Sequence, residues 1–165
     1  DIIREVVRHN GRALEFAATS LHADHEIVLE AVQQNAEALE FVAEELWSDA
    51  LFVRAAVRQN GLLLISAAEE LRGNDEIVLT AARQNRASMR FATAALKRNR
   101  GFILRALRED GLLLRYAQGG LQSDPEVVLA AVQQNSEALQ FASHELQWDG
   151  AVRAFSGRGQ TDSQS

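Results

Sequence analysis

Residues Asp24 to Ser48 read DHEIVLEAVQQNAEALEFVAEELWS, and the same pattern returns as DPEVVLAAVQQNSEALQFASHELQW from Asp124 to Trp148, with 15 of 25 positions identical and no insertion. The rest of the chain keeps that phase. Asn10, Asn35, Asn60, Asn85, Asp110 and Asn135 stand 25 residues apart, as do Leu21, Leu46, Leu71, Leu96, Leu121 and Leu146. A column of Phe16, Phe41, Ser66, Phe91, Tyr116 and Phe141 keeps the same step with one lapse. A fixed period in the range of about 20 to 50 residues marks a stacked repeat array, and it takes precedence over any local motif.

Within one copy the hydrophobic period is helical. Ile27, Val28, Ala31 and Val32 share one face of a first helix, while Leu39, Val42, Ala43 and Leu46 form the stripe of a second, with Glu37, Glu40, Glu44 and Glu45 mostly off it. Strict alternation, the mark of a strand, is absent. The expected fold is therefore all-α, an α-solenoid of six 25-residue helix-turn-helix repeats. Helices this short are marginal alone in water, so their stability has to come from stacking. Two columns of alanine, Ala31 to Ala131 and Ala17 to Ala142, permit the close approach that stacking needs.

The punctuation fits. Asp24 stands where an N-cap is wanted, and Asp124-Pro125-Glu126 is the same start with proline at the first helical position. Asn35 lies between the two halves, and in three copies a glycine follows the column: Asn10-Gly11, Asn60-Gly61 and Asp110-Gly111. Both residue types tolerate the left-handed conformation that stops a helix. In copy five, Gly119-Gly120 should bend or fray the second helix.

This pattern places the array at residues 1–155, with copies at about 1–23, 24–48, 49–73, 74–98, 99–123 and 124–148, and a partial seventh at 149–155. A disordered polar tail is expected at 156–165, SGRGQTDSQS. The chain starts inside a repeat, with Ile2, Ile3, Val6 and Val7 on the stacking face, which suggests a slice of a longer array with self-association possible through uncapped ends. The absence of cysteine excludes disulfides and thiolate chemistry and suits a reducing, cytoplasmic setting. No apolar run has the length of a membrane span, and the start lacks a signal-peptide layout.

The net charge of −6 conceals an uneven distribution. From Arg83 to Arg115 there are nine basic residues against two acidic ones, in an otherwise acidic chain. Arg83, Arg86, Arg90, Lys97, Arg98, Arg100 and Arg108 are thus candidate partner-binding residues, for an acidic protein surface, an anionic surface or a nucleic acid. The opposing reading is a solvated face, since a cation near the end of a helix also answers its dipole. A second candidate line is Gln34, Gln59, Gln84 and Gln134, which abuts the asparagine column. The asparagines suit an amide ladder that satisfies backbone groups between turns. The glutamines fit either such a ladder or a ligand groove.

Other constellations point to less. His22, Asp24, His25 and Glu26 could in principle hold zinc, but the other copies lack both histidines and the acids have capping roles, so surface histidines are expected and no metal. Trp47 and Trp148 are expected to lie on the next repeat rather than anchor a partner. Phosphate loops, nucleophile elbows and repeated acid pairs are absent from the sequence, so neither a cofactor nor a catalytic residue is expected.

The consensus D-x-E-[IV]-V-L-x-A-V-x-Q-N-x-x-A-L-x-F-A-x-x-x-L resembles the repeat family known as domain of unknown function 4116. Glu26, Val28, Ala31, Val32, Asn35, Ala38, Leu39, Phe41 and Leu46 carry the likeness in one register, and copies four and five depart most, at Arg86, Ser88, Arg100 and Gly119. The resemblance implies an architecture and no catalytic residues. The function expected is a non-catalytic protein-interaction scaffold with a protein or peptide partner. The alternatives are a passive spacer between domains and nucleic-acid or anionic-surface binding through segment 83–115, against which the overall acidity weighs.

Overall fold

The structure, a computed structural model, describes residues 2–156. The tail expected at 156–165 lies outside them except for Ser156, which ends the last helix. The chain is an all-α solenoid, with no strand among the described residues. Each copy opens with a regular α-helix: Ile2–His9, His25–Gln34, Ala50–Gln59, Asp75–Gln84, Arg100–Glu109 and Pro125–Gln134. The Asp24 column starts these helices as expected. Asp24, Asp49, Asn74 and Asp124 each accept two backbone N–H groups of the first turn through one side-chain oxygen.

The second half of each copy differs from the single amphipathic helix that Leu39, Val42, Ala43 and Leu46 suggest. It is a six-residue 3₁₀ helix, Ala36–Phe41 in copy two, then a bend, then a short helical segment, Glu44–Ser48. All six copies carry this 3₁₀ helix. The stripe breaks because the backbone at its middle is used between copies. Ala43 donates its N–H to the His22 carbonyl, Ala68 to Trp47, Thr93 to Arg72, Gln118 to Lys97 and Ser143 to Gln122, all at 2.8–3.0 Å. Val42 and Ala43 must be extended to reach across, and an extended pair ends a helix. Each copy is thus a triangle of three helical pieces, and a line of backbone hydrogen bonds runs down one corner.

The core follows the columns. Val28, Val53, Val78, Ile103 and Val128 are fully buried, as are Ala31, Ala56, Ala81, Ala106 and Ala131. Along the 3₁₀ helices of copies three and five and their C-caps, Gly61, Leu64 and Ala67, and Gly111, Leu114 and Ala117, are buried at the three-residue step of such a helix, with Leu63 and Leu113 buried beside them. A third column closes the triangle from within in copies one, four, five and six. His22 Nε2 lies 2.8 Å from the Leu14 carbonyl, Lys97 donates to the Arg90 carbonyl, and Gln122 donates to the Leu114 and Arg115 carbonyls. Trp47 holds the same place in copy two and instead packs edge-on against Phe52 at 5.2 Å.

Gly119 and Gly120 have φ of 66° and 83°, the left-handed region that glycine favours, and they shorten the last segment of copy five to Leu121–Ser123. At the array's first end, Ile2 is 81% and Phe16 83% exposed, whereas Ile27, Phe52, Ile77, Phe102 and Val127, in the Ile2 column, are buried. Among the described residues no copy packs over Ile2 and Phe16. At the other end, Gly150–Ser156 lies against copy six and buries Val152.

Candidate functional site

The glutamine column decides how neighbouring copies meet. Gln34 reaches back to copy one, where its Oε1 accepts the Gly11 N–H at 2.5 Å and its Nε2 donates to the His9 carbonyl at 3.2 Å. Gln134 clamps Gly111 and Glu109 in the same way, at 2.6 and 3.2 Å, and Gln84 accepts from Gly61 at 2.6 Å. The ladder between turns is therefore made of glutamines. The asparagines cap within their own copies: Asn35 Oδ1 accepts from Glu37 N, and Asn85 Oδ1 from Ala87 N.

The glycines after the asparagine column serve this clamp and not a left-handed turn. Asn10, Asn60 and Asp110 are extended, with φ near −150°, and Gly11, Gly61 and Gly111 have no positive φ. What they need is space. A Cβ on Gly11 would overlap the Ala31 carbonyl oxygen, and Gly61 and Gly111 stand identically against Ala81 and Ala131. Where Ala36 or Arg86 replaces the glycine, the approach is denied. The first helices of copies one and two, three and four, and five and six pack more closely than those of copies two and three or four and five, while the last helix, Gly150–Ser156, packs closely on copy six although Ser136 stands in the glycine's place.

At the two looser boundaries a cleft opens, and the two clefts are equivalent residue for residue, 50 apart. Val32, Gln33, Gln59, Asn60 and Leu63 line the first, of about 310 Å³. Ala82, Arg83, Glu109, Asp110 and Leu113 line the second, of about 380 Å³, together with Arg86, Gln134 and Asn135. Their chemistry differs. Neutral amides border the first. The second is crossed by ion pairs, Arg83 to Glu109 at 2.5 Å and Arg86 to Asp110. Glu109 beside Arg83 raises the guanidinium pKa above its ordinary value.

The basic segment is consequently less free than its sequence suggests. Besides Arg83 and Arg86, Arg100 pairs with Asp124 and Glu126, and Arg105 pairs with Asp75 and Glu76. Lys97 is tied to the Arg90 carbonyl, and burial pulls its pKa down. Arg90 lies over the Phe91 ring at 4.7 Å, and the stem of Arg98 lies against Gly119. Arg98 and Arg108 have no ion-pair or hydrogen-bond partner among the described residues. Of the four candidate glutamines, Gln34, Gln59, Gln84 and Gln134, only Gln59 is uncommitted among the described residues. Arg83 and Arg86 meet Gln134 in the second cleft, and the other basic candidates and glutamines do not line it.

His22 and His25 are engaged separately. His22 holds the Leu14 carbonyl, His25 packs on Phe52 at 5.4 Å, and no cluster of three or more potential ligands occurs among the described residues. Trp148 departs from expectation. It is 64% exposed, carries Arg153 over its ring at 4.9 Å, and borders an open cleft with Ser136, Glu137 and Leu139. No helix among the described residues is long and apolar enough to cross a membrane.

Repeated helical triangles joined by a backbone line and by side-chain clamps define the chain as a helical-repeat solenoid. It belongs to the family described as domain of unknown function (DUF4116), whose model matches three times, over residues 1–47, 49–97 and 99–147. Each match spans two copies, and each pair is one that the glutamine clamp closes. No curated protein and no solved structure matches the chain.

Proposed function

We infer that the array is a non-catalytic scaffold that binds other proteins at its open boundaries. The observation that carries this reading is the pair of equivalent clefts. Their walls come from the same columns, yet one presents carboxamides and the other charged pairs. A solenoid that varies the lining of a repeated cleft while keeping its frame is built to recognise extended or repeated partners. The structural roles of the polar columns support a role without catalysis: three of the four glutamines clamp, the asparagines cap, and the 22-column locks the triangle in four copies. Engagement of Arg83, Arg86, Arg100 and Arg105 by carboxylates weighs against nucleic-acid binding, which would draw on free phosphate-binding cations.

Quantitative affinity capture from cell extract tests the reading, using the wild-type chain and a variant with Gln33, Gln59, Arg83 and Arg86 replaced by alanine. Proteins retained by the wild type and lost from a variant of unchanged circular dichroism support it. Identical captured sets overturn it and leave a passive spacer.

A further inference from the structure

The inference rests on the interaction reading above and names its site. Two glutamines of the 34-column, Gln34 and Gln134, bind a neighbouring backbone at both a donor and an acceptor, and Gln84 binds at the donor alone. Gln34 pairs with the N–H of Gly11 and the carbonyl of His9, and Asn10 between them is extended, with φ of −147° and ψ of 95°. One carboxamide thereby recognises both the donor and the acceptor on one edge of an extended segment, and Gln134 repeats this on Gly111 and Glu109. The molecule supplies its own example of peptide recognition.

Gln59 occupies the same column, but its internal target is withheld. The place of Gly11 is taken by exposed Ala36, whose N–H has no acceptor among the described residues. The side chains of Gln59 and Gln33 likewise have no hydrogen-bond partner there, while Asn60 spends its oxygen on the Leu62 N–H. These carboxamides border a cleft of about 310 Å³ with Val32 and Leu63 as its apolar part and no ionised side chain in its lining. An uncharged ligand fits such walls, since a buried charge would find no counter-ion.

We propose that this cleft binds an extended, uncharged, glycine-containing peptide segment of a partner protein. Gln59 pairs with the segment's N–H and carbonyl as Gln34 pairs with those of Gly11 and His9. Glycine is required at the paired N–H for the reason it is required at position 11: a side chain there keeps the backbone away from the carboxamide. The sister cleft has Glu109 in place of Gln59, with Arg83 already on it, and lacks this recognition.

The test is selection of random short peptides displayed on phage against the full chain, followed by affinity measurement of synthetic copies of the enriched peptides. Gln59→Leu removes the carboxamide at an exposed position. Ala36→Gly gives Gln59 its internal target, which closes the cleft and protects the amide at position 36 from hydrogen exchange. Enriched peptides that contain glycine, lack excess charge and weaken about tenfold in both variants, the size of one or two net hydrogen bonds, support the proposal. Arg108→Ala leaves their affinity unchanged. No enrichment above an empty support overturns it. So do enriched peptides that bind Gln59→Leu as tightly as wild type, although that result leaves the scaffold reading standing with its site elsewhere.

Discussion

The carboxamide of Gln34 and the backbone N–H of Gly11 meet at 2.5 Å across a repeat boundary, and a methyl group on Gly11 would prevent it. Side chain and glycine are two halves of one device. The device recurs at every second boundary, with Gln84 on Gly61 and Gln134 on Gly111, and so groups six copies into three closed pairs. Between pairs the boundary is left to core packing, the backbone line and surface ion pairs.

Gly61→Ala therefore forces the Ala81 carbonyl and Gln84 away from copy three. We expect destabilisation by about 1–3 kcal/mol, the usual cost of overpacking a close contact. Gly73→Ala is the control, because a Cβ there meets nothing nearer than ordinary contact, at 3.4 Å, and φ is −97°. It should leave the urea midpoint unchanged or raise it slightly. Equal losses in the two variants would show that the Gly61 contact has no special weight.

Ser88 is fully buried and its hydroxyl has no hydrogen-bond partner, while Ala38 and Ala138 hold its place in copies two and six. Leaving a hydroxyl unpaired costs free energy that its removal recovers. Ser88→Ala should stabilise the chain by roughly 1 kcal/mol in equilibrium urea unfolding. A loss of stability would mean that the hydroxyl has a partner after all.

Arg100 beside Asp124 holds that carboxyl below its ordinary value, with the Val127 and Glu126 N–H groups assisting. The folded chain keeps this group ionised at a pH where the unfolded chain has taken up a proton. Its stabilisation is thus complete above the ordinary value of 3.8 and is lost as pH falls through the depressed folded value. Asp124→Asn retains the cap, since Asn74 caps copy four in the same place, but removes the titration. The stability difference between wild type and variant should be constant from neutral pH down to about pH 4 and should shrink below it. A difference that stays constant through the acid range would exclude Asp124 as the titrating group.

Much of this architecture was legible in the residues. The 25-residue step of the Asn10 and Leu21 columns defines the stack, and Asp24 with Pro125 marks the helix starts. The break in the second half of each copy was not legible, because Leu39, Val42, Ala43 and Leu46 suit a continuous α-helical stripe. Only the demand of the neighbouring copy for the Ala43 N–H breaks it. The pairing of copies did leave a trace: Gly11, Gly61 and Gly111 fall in alternate copies, and Gly61-Leu62-Leu63-Leu64 recurs as Gly111-Leu112-Leu113-Leu114. A 25-residue register averages that signal away. The binding candidates fared differently, since counting arginines from Arg83 to Arg115 cannot reveal that Glu109, Asp110, Asp124 and Glu126 from neighbouring copies neutralise several of them.

Hydrogen exchange at the first residue of each 3₁₀ helix tests the paired architecture most directly, because the Gly11, Ala36, Gly61, Arg86, Gly111 and Ser136 amides hold the same place in each copy and differ in the clamp and in the burial that comes with it. Protection of the three glycine amides, with the Ala36, Arg86 and Ser136 amides exchanging at close to unprotected rates once corrected for residue type, is the predicted result. Uniform protection along all six positions, or a gradient from one end to the other, would contradict it.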